Sequence, residues 1–375
     1  MMRKYWLFGP RRRPKDLAQT LISRNQFYYS ARCNNDGIAV VVICSPGGAG
    51  DKIMFLAWLS EMQKQFGRHV KFHIMTNHKP DMNRALFNGI PEIAGLYNID
   101  ANEMPDTRFD MLIELWSSAT AVHYVGERAA EQPRIAKWID SVRGFKPMTC
   151  GFNMYYLSML RGEKRVQLYN RTGGVNVKPN AMPRPKLMPK ALKILKRLGL
   201  DKQKFITIVR GAGKCDANSE AVKLWPIGHY KKFIKLFRKA YPEYKIVQLG
   251  VASDYYKGID GVDIDLVGKT NFAEAMALCC SSALHVDCEG GMPHVRHFVT
   301  GGARPSVVLF GPTPMEYFGH DENINIRADG ACPAWCYDVT PESIRECPRG
   351  LRVPPCMDKI SPEMVMRRIK ESGIL

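Results

Sequence analysis

Four groups of residues in this chain have types and spacings suited to chemistry. The first runs from Leu284 to Thr313: the apolar run Leu284-His285-Val286-Asp287-Cys288, then Glu289-Gly290-Gly291-Met292-Pro293-His294, and after a helical stretch Val307-Val308-Leu309-Phe310-Gly311-Pro312-Thr313. It reads as strand, glycine-rich turn, helix and a second buried strand. Amides at a helix start have no intrahelical partner and sit at the positive end of the helix dipole, so this turn is a candidate anion site. Glu289 at its entrance could accept hydrogen bonds from sugar hydroxyls. A nucleotide-sugar diphosphate would meet both demands. His294 either positions the turn or is a core histidine with its partners inside the fold.

The second group is Ser45-Pro46-Gly47-Gly48-Ala49-Gly50-Asp51. It is not a P-loop, because Gly50 is followed by Asp51-Lys52 rather than by Lys and Ser or Thr. It is not the dinucleotide fingerprint, whose third glycine would stand where Ile53 does. What remains is a glycine-rich strand-to-helix turn with a carboxylate at the helix start. That placement favours ionised Asp51 and aims it into the crevice above a sheet. The alternative is an ordinary N-cap aspartate satisfying the first amides of the helix.

The third group, Lys223-Leu224-Trp225-Pro226, follows the apolar strand Phe205–Arg210 and the loop Gly211-Ala212-Gly213. Pro226 suits a helix start, and Tyr230, Phe233, Ile234 and Phe237 then recur at helical spacing. Lys223 at that mouth either offsets the charge of a diphosphate leaving group or is a solvated lysine beside a core tryptophan. The fourth group is Cys332, Cys336, Cys347 and Cys356, four thiols in a Pro/Gly-rich segment of 25 residues. They suit a tetrahedral structural zinc or iron. No C-x2-C knuckle is present, so reduced cysteines or an occasional disulfide stand as the alternative. Cys279, Cys280 and Cys288 read as small buried residues.

The elements that must position these groups follow from the pattern of the chain. Gly37–Cys44 is a continuous apolar strand, followed by a helix from Lys52 to about Phe66 with Ile53, Phe55, Leu56, Leu59 and Met62 on one face. Short strands are expected at 70–75, 94–99, 111–115 and 121–125, and a second set at 205–209, 244–249, 284–287 and 307–310. Alternation of this kind predicts doubly wound α/β units. The expected division is a basic extension over 1–36, a first α/β domain over 37–172, a Gly/Pro-rich linker over 173–189 and a second α/β domain over 190–330. The cysteine segment at 331–357 and a helix within 358–375 complete it. Met154-Tyr155-Tyr156-Leu157 is expected in the core, and the final helix, Pro362–Lys370, to pack back across the first domain.

Composition narrows the partners. The 375 residues carry 54 Lys and Arg against 36 Asp and Glu, a net charge of +18, which favours polyanions. No aromatic-interleaved RNA motif, zinc finger or helix-turn-helix is seen, so no specific nucleic-acid partner is expected. Met1–Pro10 is too short in its apolar run for a signal peptide, and no run has the length of a membrane span. Eleven cysteines without an export signal argue for reduced thiols. The expected location is cytoplasmic, with peripheral contact to the anionic inner-membrane face.

Taken together, these residues resemble the family 9 glycosyltransferases, the heptosyltransferase-like enzymes of bacterial envelope synthesis. The matching features occur in family order over about 37–365: Gly47-Gly48-Ala49-Gly50-Asp51, Lys223-Leu224-Trp225-Pro226, Val247-Gln248-Leu249-Gly250, Gly268-Lys269-Thr270, Glu289–His294 and Leu309-Phe310-Gly311-Pro312-Thr313. The resemblance implies an α/β architecture of two Rossmann-like domains facing a cleft (GT-B type), with a C-terminal cysteine-rich segment. The acceptor would sit in the first domain and the donor in the second.

It implies roles as well. Asp51 looks like the general base for inverting attack of an acceptor hydroxyl, with Gly47, Gly48 and Gly50 forming the acceptor-side loop. Lys223 looks like a diphosphate ligand. Gly290, Gly291 and neighbouring amides would hold the diphosphate, with Glu289 near the sugar, Thr270 near the nucleotide and His294 on the same donor turn. Where the family has Asp followed by Ser/Thr-Gly, this chain has Glu289-Gly290, a departure that bears on the donor sugar. Glu-Gly-Gly with four cysteines looks more like the heptosyltransferases that modify autotransporter proteins, in which a cysteine-bound iron serves structure and assembly. Some lipopolysaccharide-type members also end their cysteines in Cys-Met, as Cys356-Met357 does here.

The expected activity is heptose transfer from ADP-heptose to a lipopolysaccharide-core sugar or a protein hydroxyl. No cofactor is expected for catalysis, and homo-oligomers are compatible with the family. Rival expectations are a nucleotide-sugar-binding scaffold without turnover, or a transferase using another nucleotide sugar.

Overall fold

The computed structural model describes residues 17, 19–23, 37–44, 48–76, 80–101, 103, 105, 108–115, 120–143, 157–178, 185–210, 222–251, 258–332, 335, 336 and 346–375. Two sheets organise them. The first is built from β1 (Ile38–Cys44), β2 (Val70–Thr76), β3 (Ile93–Asn98), β4 (Met111–Leu115) and β5 (Thr120–Val125), in the order β3-β2-β1-β4-β5. β1 runs parallel to both β2 and β4, whereas β5 returns antiparallel to β4. Only four residues separate β4 from β5, too few for the helical crossover that a further parallel strand would need.

The second sheet joins β6 (Phe205–Val209), β7 (Lys245–Leu249), β8 (Ile264–Asp265), β9 (Leu284–Cys288), β10 (Ser306–Phe310) and β11 (Ile324–Arg327), in the order β11-β10-β9-β6-β7-β8. Every pairing in it is parallel. Such strands are covered on both faces, which is why β1, β6, β9 and β10 are apolar or fully buried without alternation. The two-residue β8 and the half-buried β11 carry too little apolar signal to be foreseen.

Each sheet has a point where strand order reverses, at β1 in the first and between β6 and β9 in the second. Ligands of open α/β sheets bind outside the carboxyl ends of the strands at such points. The chain leaves β1 toward Asp51, β6 toward Lys223 and β9 toward Glu289, so the topology sends three candidate residues to these edges.

The helix after β1, α1 (Ala49–Phe66), starts three residues earlier than the apolar pattern suggests. It is buried nearly all round because it lies between the first sheet and α9 (Gly291–Thr300), the helix that follows β9. Val295 and Phe298 of α9 belong to the same apolar cluster as Trp58, Phe66 and Phe72 of the first half. The two halves are therefore packed together along these helices.

Two expectations are corrected. The last helix, Pro362–Ser372, does not lie on the first half: Val365, Met366 and Ile369 pack against Phe233 and Phe237 of the helix Ile227–Ala240 beside the second sheet. The Trp225 indole donates to the Ile360 carbonyl at 2.7 Å and fixes that entry. Leu157 is 39% exposed rather than core, while Met154, Tyr155 and Tyr156 lie outside the described residues.

Candidate active site

Asp51 is the third residue of α1, not its N-cap; Gly48 is the cap. One carboxylate oxygen accepts the Gly48 amide at 3.1 Å, and the other accepts the Arg165 guanidinium at 3.0 Å. The Asp51 side chain still leaves 43% of its surface open, whereas Arg165 is buried. Asp51 is thus held on two sides and open on the third, the arrangement a positioned base requires. Gly48 and Gly50 are in place in the turn; Gly47 lies outside the described residues.

The glycine-rich turn after β9 ends in Gly290 as the N-cap of α9. The N-termini of α1 and α9 meet here. A methyl at Gly291 would stand 2.9 Å from the Ala49 methyl, and one at Gly50 would stand 2.9 Å from the His294 ring. Only residues without a Cβ allow this approach. Two helix N-termini converging on one cleft concentrate unpaired amides and positive potential.

Glu289 is buried at the end of β9, where Lys223 donates to one of its oxygens and His294 stands 3.7 Å from the other. Burial alone would raise this carboxyl; the Lys223 ammonium and His294 more than offset it and hold the pKa at about 2. Lys223 is therefore neither solvated nor open to ligand alone: in this state its charge is met by Glu289. Glu289, expected to face sugar hydroxyls, spends its carboxylate on protein partners.

A histidine stack lies behind this pair, and of its members only His294 had a signal in the sequence. His294 shares a 2.8 Å hydrogen bond with His320, which stacks on His297 at 3.5 Å between ring centres; His297 bonds Glu322. Burial, then His294, His297 and Lys164, hold the His320 pKa well below the usual histidine range. His320 follows a four-residue helix, and nothing in its local spacing connects it to a turn 26 residues earlier. Glu289, His294, Phe318 and His320 line a narrow crevice between the turn and the loop after β10. Thr270 stands apart, on the loop after β8 at the sheet's far edge.

The four cysteines gather beside the carboxyl end of β10. The Cys336 amide donates to the Pro312 carbonyl at 2.9 Å, and the Cys356 sulfur crowds Gly311. Burial, then Cys332, Cys336 and Cys347, push the Cys356 thiol up to about 12. Burial, then Cys347 and Cys332, also raise the Cys336 thiol. The donor chemistry fits a thiolate metal site. As they stand, no three His, Cys, Asp or Glu side chains among the described residues are placed to hold an ion.

Residues 178–336 match the sequence profile of glycosyltransferase family 9 (heptosyltransferase). No curated protein sequence matches the chain. Among solved structures, ADP-heptose lps heptosyltransferase II of E. coli superposes with a TM-score of 0.56 at 16% identity, covering 88% of this chain and 98% of its own. The iron-containing dodecameric glycosyltransferase TibC of enterotoxigenic E. coli H10407 gives 0.58 at 13% identity, over 91% and 77% of the two chains. TibC has also been solved in complex with ADP-D-beta-D-heptose. E. coli heptosyltransferase WaaC, with ADP-2-deoxy-2-fluoro heptose, gives 0.50 at 13% identity, over 88% and 99%. At these identities the likeness shows the fold, an α/β architecture of the GT-B type. The matched segment holds Lys223, Glu289 and His294 but not Asp51.

Proposed function

We propose that this protein is an inverting glycosyltransferase that moves heptose from ADP-heptose to a hydroxyl of a lipopolysaccharide-core sugar or of a protein. The observation that carries this reading is the meeting of the α1 and α9 N-termini at Gly50 and Gly291, with Asp51 on one side and Lys223 on the other. Amides and cations collect on the donor side, and an open carboxylate stands on the acceptor side. The ligands of TibC and WaaC support ADP-heptose as the donor.

In this mechanism the acceptor hydroxyl loses its proton to Asp51 as its oxygen attacks the anomeric carbon. The bond from that carbon to the diphosphate breaks, and ADP leaves with the electron pair. The amides of the Gly290-Gly291 turn and Lys223 stabilise the charge that develops on the leaving phosphate. Lys223 must shift from Glu289 toward the diphosphate for this, and His294 remains beside Glu289. Thr270, apart from these groups on the loop after β8, would contribute at the nucleotide end. These protein groups suffice for the step, so the proposed chemistry needs no catalytic metal.

The +18 charge supports attraction of a phosphorylated envelope glycan and contact with an anionic membrane face from the cytoplasmic side. The four cysteines would serve a structural zinc or iron, as the iron-containing TibC suggests, and a homo-oligomer is compatible with its dodecamer. The test is transfer from ADP-heptose to heptose-free lipopolysaccharide core and, separately, to a serine-rich protein, with products weighed by mass spectrometry. A mass gain of one heptose on either acceptor supports the reading. No gain on either, together with ADP-heptose binding, favours the scaffold; gain only with another nucleotide sugar discards heptose.

A further inference from the structure

We propose that Arg165 is the positioning residue for the Asp51 carboxylate, and that Lys164 beside it ties the same turn to the donor side of the cleft. The inference rests on the reading of Asp51 as the base. Arg165 opens the short 3-10 helix Arg165–Leu168, far from Asp51 in sequence and outside every motif. Its guanidinium is buried, lies 5.9 Å from the centre of the Tyr169 ring and donates to Asp51 at 3.0 Å. The Gly48 amide takes the other Asp51 oxygen at 3.1 Å. Two donors on two oxygens fix the plane of the carboxylate, and the exposed remainder of the side chain faces solvent. A charge-assisted bond from a rigid guanidinium holds direction better than a lysine at the end of a flexible stem.

Lys164 points the other way. Its ammonium donates to the Gly319 carbonyl at 3.1 Å and pairs with Asp321 at 2.9 Å. Gly319 and Asp321 flank His320, which bonds His294, and His294 faces Glu289. Adjacent residues of one turn thus hold the base on one half of the protein and the loop behind the donor pair on the other. Gln167 closes the turn by accepting the Lys164 amide at 3.0 Å. The position of Asp51 is in this way set relative to the donor side and not only to its own helix.

The test follows ADP release from ADP-heptose, with water and with heptose-free lipopolysaccharide core as acceptors, in wild type, Asp51→Asn, Arg165→Ala and Arg165→Lys. Arg165→Ala is expected to lower kcat about a hundredfold and leave KM for ADP-heptose within about twofold, because orientation is lost and donor binding is kept. Millimolar guanidinium should restore part of that rate, which a merely structural role would not allow. Arg165→Lys should fall between the two, and it carries the test if the alanine variant does not fold. Wild-type kcat in Arg165→Ala, a loss confined to KM, or no guanidinium rescue in a folded variant would overturn the inference. If Asp51→Asn is inactive and Arg165→Ala is not impaired, only the inference fails. If Asp51→Asn turns over normally, or the wild type releases no ADP with either acceptor, the base reading fails and takes the inference with it.

Discussion

Lys223 and Glu289 form a nearly buried ion pair across the reversal point of the second sheet, one following β6 and the other immediately following β9. Removing one partner of such a pair leaves a charge in a poorly solvated place. The pair also couples folding to pH. The Glu289 carboxyl lies at about 2 in the folded protein against 4.5 ordinarily, so below 4.5 the unfolded chain binds the extra proton. The stabilisation is complete above that value and is lost as pH falls from 4.5 toward 2. It amounts to about 3 kcal/mol. Thermal midpoints between pH 6 and pH 3 should fall more steeply in wild type than in Glu289→Gln. Parallel curves would contradict the buried pair.

Asp51→Asn should lower kcat by roughly 10² to 10⁴, the range for losing a general base. Asp51 is part-exposed, and asparagine can still accept the Gly48 amide. Stabilisation by ADP should therefore remain close to wild type, while the thermal midpoint falls because the buried Arg165 guanidinium loses its counter-charge. A variant that keeps its rate, or that loses ADP binding, would remove Asp51 from the role.

Gly291→Ala should weaken donor binding. Its φ does not require glycine, so the effect comes from contact: the new methyl would stand 2.9 Å from the Ala49 methyl and 3.3 Å from the Gly50 nitrogen. Overpacking of this kind costs about 1–3 kcal/mol. The helix ends must separate, and affinity for ADP should fall with stability. Unchanged affinity, measured by titration, would show that the two N-termini need not touch.

The cysteine cluster makes its own prediction. Purified protein should contain zinc or iron equimolar with the chain, and a chelator or Cys336→Ser should remove it and lower the thermal midpoint. Turnover per folded molecule should change far less than stability. Metal-free protein with an unaltered midpoint would leave the cysteines as reduced thiols.

Much of the scaffold is legible in the sequence for a simple reason. Parallel strands buried on both faces are written as unbroken apolar runs, so β1, β4, β6, β9 and β10 stand where those runs are. Turn glycines mark Asp51, Glu289 and His294, and the Trp225-Pro226 helix start marks Lys223, for the same local reason. Relationships across the fold are not written this way. Arg165 reaches Asp51 over 114 residues, and His320 reaches His294 over 26, each from a short element without a motif. That Glu289 faces Lys223 rather than solvent depends on β6 and β9 being neighbours, a fact of strand order. The last helix was misplaced because an amphipathic pattern shows that a face is buried but not against what.

The central claim is that the cleft below the two helix N-termini binds an adenosine-diphosphate donor through Lys223. Titration calorimetry of wild type and Lys223→Ala with ADP, UDP and GDP tests it most directly. The account predicts saturable binding of ADP, weaker binding of UDP and GDP, and at least about a tenfold loss of ADP affinity in Lys223→Ala, the scale of one charge-assisted contact. ADP binding that is absent, no stronger than that of UDP and GDP, or undiminished in a folded Lys223→Ala would contradict it.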